Sequence, residues 1–105
     1  MFFSFPEDAR WNAERQVVEF GVGVGEYEGV VRILRQVFRR FIDSAVTPER
    51  CLEAYHLDST RFELIAERKL RNRQLTDDGN VEINGRDLRA LSKAGAAVRV
   101  ASIGL

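Results

Sequence analysis

A chain of 105 residues, 45% hydrophobic and 30% charged, has the size and composition of one folded core and is too short for two. Sixteen Lys and Arg face sixteen Asp and Glu, so the net charge is zero, which excludes a strongly basic nucleic-acid binder. A single cysteine excludes an internal disulfide, and no stretch approaches the ~20 apolar residues of a membrane span.

The first third is expected to be antiparallel β. Residues 2–5 form a short aromatic strand that Pro6 ends, and residues 6–12 are charged and turn-like. This start has no basic region, and Glu7 and Asp8 follow its short apolar run at once, so it lacks the form of a secretory signal. With the lone thiol of Cys51, that points to a cytoplasmic protein. From 16 to 24 the pattern has period two. Val18, Phe20, Val22 and Val24 face one way, and Val17, Glu19, Gly21 and Gly23 the other. Gly25-Glu26 is a turn, and residues 27–34 alternate again, with Tyr27, Val31 and Ile33 on one face. Two such strands joined by a glycine make a hairpin, which needs a helix on its apolar face to be stable.

The middle third is helical. Residues 36–42 suit a short helix. Thr47-Pro48 then supplies an N-cap and a proline for the first helical position, and Glu49 suits the helix dipole. Leu52, Tyr55, Ser59, Phe62, Ala66 and Leu70 recur every three or four residues, the apolar stripe of one helix running to about Asn72. Asp58-Ser59-Thr60 is where that helix would break if it were two. Asp77-Asp78-Gly79-Asn80 is a turn, residues 81–83 a strand, and Asn84 the cap of a short helix over 85–91 with Leu88 and Leu91 inward. Residues 98–103 suit an edge strand or a frayed end. The whole is an α+β fold, with a three- to four-stranded, mainly antiparallel sheet on one long helix and two short flanking helices. Residues 1–91 form the domain, and 92–105 a flexible or edge-strand tail.

The order of these parts carries a resemblance. A Phe-Pro strand precedes Trp11 and an arginine-containing turn, then Val18-x-Phe20 and a glycine-turned hairpin. A helix holding Tyr55, Arg61 and Ala66 follows, and Val81-Glu82-Ile83 leads to Asp87-Leu88. Over roughly residues 1–90 this resembles the small bacterial "domain of unknown function 1488" proteins. The resemblance implies a compact α+β domain of the bacterial cytoplasm and assigns no activity.

Functional signals are weighed against plainer ones. Gly21, Gly23 and Gly25 do not open a helix, and Glu26 and Glu28 beside them repel phosphate, so they suit close packing better than a phosphate loop. Cys51 and His56, five residues apart on a helix, diverge by about 140°, so the thiol has no base. One His and one Cys cannot complete a tetrahedral metal site, and no cofactor is expected. These patterns lean away from an enzyme.

Charge is unevenly spread. Residues 1–30 hold two bases against six acids, and residues 31–73 hold ten against six. Arg35, Arg39, Arg40, Arg68, Lys69, Arg71 and Arg73 are therefore a candidate anion or partner patch. The helix dipole or pairing with acids explains the same cations without a ligand. Phe2, Phe3 and Trp11 are a candidate partner surface. The leading expectation is a small non-enzymatic binding or regulatory module that self-associates or binds a protein. The alternative is a weak nucleic-acid-binding accessory protein using the arginine-rich patch. No membrane partner is expected.

Overall fold

A computed structural model describes residues 2–89, so the expectations for Leu91, for the 92–105 tail and for a strand at 98–103 lie outside the described residues. The centre of the fold is the hairpin of β3 (Val17–Val24) and β4 (Tyr27–Leu34), paired from Val17↔Leu34 to Val24↔Tyr27. Of the two turn residues, only Gly25 has a positive φ, +59°, the II′ pattern that matches the right-handed twist of the flanking strands.

Two short strands share the free edge of β3. β1 (Phe3–Ser4) pairs with Val24 and Gly23, and β2 (Arg10–Asn12) pairs with Glu19, Val18 and Val17. Between them, among the described residues, no strand reaches β3. There the Gly21 amide donates to Asp8 Oδ1 at 2.7 Å, so a carboxylate takes the place of a strand carbonyl. On the other side β5 (Val81–Ile83) runs parallel to β4, in register with Val31, Arg32 and Ile33. The sheet thus has five strands among the described residues, one more than expected. The addition is β2, which lies in the charged stretch expected to be a turn. Three residues are too few to show alternation, but Trp11, opposite Val18, packs on the core.

α1 (Arg35–Phe38) continues directly from β4 and buries Val37 and Phe38. α2 (Pro48–Leu57) starts at Thr47, whose hydroxyl accepts from the Arg50 amide at 3.3 Å, with Pro48 in the first turn as expected. The single helix expected to run to Asn72 is instead α2 followed by α3 (Ser59–Arg71). The backbone leaves the helical region at Asp58 (φ −135°, ψ 30°), and the Asp58 carboxylate takes the Arg61 guanidinium at 3.2 Å. The break lets Cys51 and Tyr55 of one helix and Phe62, Ile65 and Ala66 of the next all turn to the core. α3 closes with Arg73 at φ +55°, Gln74 N–H donating to Lys69 O at 2.8 Å and Arg73 N–H to Leu70 O at 3.1 Å, a Schellman end. Residues 85–89 are helical and Leu88 is buried, as expected.

The helices cover one face of the sheet. Val18, Phe20, Val22, Val31, Ile33, Val81 and Ile83 meet Tyr55, Phe62, Ile65 and Ala66 in one cluster. Its aromatic spine is Phe20–Tyr55 (5.0 Å between centroids), Tyr55–Phe62 (5.8 Å) and Phe62–Phe38 (5.8 Å). The opposite face carries a charged row beside the apolar pair Val17 and Leu34. The register sets Arg10, Glu19, Arg32 and Glu82 in one row across four strands, alternating in sign. Glu19, only 8% exposed, reaches Arg10 at 3.1 Å and Arg32 Nε at 3.5 Å. The second contact is an ion pair without hydrogen-bond geometry, which leaves Arg32 Nε without a hydrogen-bond partner. Arg32 Nη1 donates to Asp78 at 3.0 Å.

Candidate functional site

The seven cations singled out from the sequence do not form one surface. Arg35 follows Leu34 at the far end of β4, whereas Phe3 pairs with Val24 beside the Gly25 turn. The eight residues of β4 separate those ends by roughly 23 Å. The Arg71 guanidinium lies 5.2 Å from the Phe3 ring centroid, so Arg71 belongs to the turn end. Lys69 is committed within the fold, its Nζ donating to Glu82 O at 2.7 Å and to Asp87 Oδ2 at 2.8 Å. Arg68 and Arg73 are exposed on either side of it along the chain. Arg35 donates twice to Val46 O, at 2.8 and 3.2 Å, and so ties the loop before α2 to the start of α1.

Arg39 and Arg40, both exposed, are joined by two arginines that sequence adjacency does not reveal. β4 and β5 are parallel, so the segments leaving them, α1 and residues 84–89, emerge side by side. There a recess of about 490 Å³ is lined by Gln36, Arg40, Asn84, Gly85, Arg86 and Arg89. A second recess of about 280 Å³ takes in Gln16, Leu34, Arg35 and Arg39, and Gln36 lines both. Among the described residues, neither recess has a carboxylate or an aromatic ring in its lining. The nearby acid, Asp87, is turned to Lys69 and to the Asn84 amide (2.9 Å), and Asn84 Oδ1 accepts from the Asp87 amide in return.

A different recess, about 260 Å³, lies on the outer side of α2. Arg50, Glu53, Ala54 and Leu57 recur every three or four residues there, facing away from buried Cys51 and Tyr55, and Phe41, Ile42, Asp43 and Ser44 complete the wall. Leu57 is 83% exposed and Phe41 38%, with Arg61 over the Phe41 ring at 5.8 Å. Of the aromatics proposed as a partner surface, Phe3 and Trp11 pack against the core, and Phe2 is exposed.

The remaining candidates are structural. Cys51 is fully buried, burial pushes its thiol pKa up, and His56 is exposed, so the two do not cooperate. The Tyr55 hydroxyl is pushed up to about 12, by burial first and then by Glu63, Asp8 and Glu7, and stays protonated at neutral pH. Gly21 lets Asp8 and Pro6 come close, Gly23 pairs with β1 and Gly25 makes the turn, the packing role that their spacing suggests.

No protein-family model matches the chain. No curated protein matches it either. Among solved structures it is similar to a protein of unknown function of the DUF1488 family from Shewanella loihica PV-4, with 13% identity and a TM-score of 0.70 over 77% of this chain and 90% of that one. The resemblance read from the order of motifs is therefore matched in three dimensions, and the fold of this chain is the fold of that DUF1488 protein.

Proposed function

We propose that this protein is a small non-enzymatic binding module that pairs with a second copy of itself through the outer face of α2. The observation that carries the reading is Leu57, a large apolar side chain 83% exposed at the rim of a recess that Phe41, Ile42 and Ala54 line together with charged residues. A two-fold contact presents the same patch from both partners, so it needs a knob and a hollow on one face. Leu57 is the knob, and the space between Phe41, Ile42 and Ala54 is the hollow. The charged residues around it, Arg50 with Asp43 and Glu53, are of both signs, so two copies meet without net repulsion. A cytoplasmic setting suits the buried, unpaired thiol of Cys51, and no described helix is long and apolar enough to cross a membrane.

Sedimentation velocity over a range of concentrations tests the pairing. The parent is expected to form a dimer that Leu57→Glu returns to monomer without loss of helical signal. A parent that stays monomeric at high concentration refutes the reading, and a dimer indifferent to Leu57→Glu places the contact elsewhere.

A further inference from the structure

The arginines beyond the ends of β4 and β5 call for a separate explanation. Arg40 Nη2 and Arg89 Nη1 both lie within 4.0 Å of the point where a Gly85 Cβ would sit, so they are no more than about 8 Å apart. These like charges come from chain positions 49 residues apart and meet because β4 and β5 are parallel. Arg86 lines the same recess, and Arg35 and Arg39 line the one beside it. Among the described residues no carboxylate in either lining offsets them, since Asp87 is held by Lys69. The charge is local on a chain of zero net charge, which is how a binding footprint differs from general basicity.

We infer that the paired recesses between α1 and residues 84–89 bind the phosphodiester backbone of a nucleic acid. Guanidinium groups present planar, bidentate donors that match phosphate oxygens. Gln16, Gln36 and Asn84 add amide side chains that can donate to phosphate or sugar oxygens. Two adjoining recesses that share Gln36 suit successive phosphates of a polymer better than one compact anion. The described linings hold arginines and amides and no ring for bases to stack on, so contact is to the backbone and indifferent to sequence.

The test is fluorescence anisotropy of labelled mixed-sequence single strands and duplexes, titrated with the full chain at low and moderate salt. Binding is expected to strengthen as salt falls, with a log–log slope of about −2 or steeper, as contact with three or more phosphates requires. Arg40→Gln/Arg86→Gln/Arg89→Gln is expected to weaken low-salt binding about tenfold or more. Arg68→Gln/Arg73→Gln, which lie in the lining of neither recess, should leave it within about twofold. Gln36→Glu sets a carboxylate between the recesses on an exposed side chain and should weaken binding comparably, even if the triple variant folds poorly. Absence of binding at low salt overturns the inference, as does equal loss in both arginine variants. Binding of pyrophosphate or polyglutamate without binding of nucleic acid overturns it as well.

Discussion

Single residues in this fold hold specific contacts that a substitution can isolate. The Tyr27 ring lies across Gly29, where an added Cβ would collide with the phenol, and the hydroxyl donates to Gly79 O at 2.8 Å. This bond ties the 76–80 turn to the sheet, beside Asn80 Oδ1 accepting from the Val30 amide at 3.0 Å. Burial, with Asp78 second, raises the Tyr27 pKa, so the phenol remains the donor in this bond at neutral pH. Gly29→Ala must push the ring aside and break the bond, at a cost of about 1–3 kcal/mol in urea unfolding. Tyr27→Phe keeps the ring and removes only the bond, so it should cost about 1 kcal/mol. A Gly29→Ala variant as stable as the parent would show that the ring does not rest there.

At the scale of elements, the two helices share one aromatic centre. Phe62 is fully buried and meets Phe38, Tyr55 and Phe41, so Phe62→Ala opens a cavity among three rings. The expected loss is ~3–5 kcal/mol in chemical denaturation, and a melt within a few degrees of the parent would contradict this packing. That centre was legible in the sequence because helical spacing survives the break: Tyr55, Phe62 and Ala66 stay on one face although the chain leaves the helix at Asp58. The place of the break was legible in Asp58-Ser59-Thr60, but not whether the chain breaks there, since one residue of altered backbone does not change a three-to-four spacing. The hairpin was legible to within one residue, because the alternating positions on each side of a glycine turn fix the register. The basic recess was half legible. Arg35, Arg39 and Arg40 stand close in the chain, but Arg86 and Arg89 join them only through the parallel pairing of β5. Adjacency instead grouped them with Arg71, which lies at the other end of the sheet against Phe3.

Over the whole molecule, two carboxylates set opposite dependences on acid. The Thr76 hydroxyl, then Arg32 and Asn80, hold the Asp78 carboxyl well below the usual carboxylate range. Its contribution to stability is therefore complete above its ordinary value of 3.8 and fades as pH falls through the folded value. Burial, then Glu67 and Glu7, raise the pKa of Glu63, so its contribution is complete below 4.5 and is lost as pH rises through the folded value. In melts from pH 3 to pH 7, Asp78→Asn should be less stable than the parent at neutral pH, with the gap beginning to narrow only below the ordinary value of 3.8. Glu63→Gln should match the parent at pH 3 and exceed it at pH 7. The reverse order for either variant would mean that its carboxyl is not shifted as described. The borders of the sheet have one more consequence. On one side the border strand has three residues, and on the other it is divided into pieces of two and three with the Asp8 carboxylate plugged into the gap. Among the described residues neither border offers an unbroken row of amides and carbonyls for a foreign strand to zip onto, which guards the sheet against runaway fibril growth even though its centre is a valine-rich hairpin.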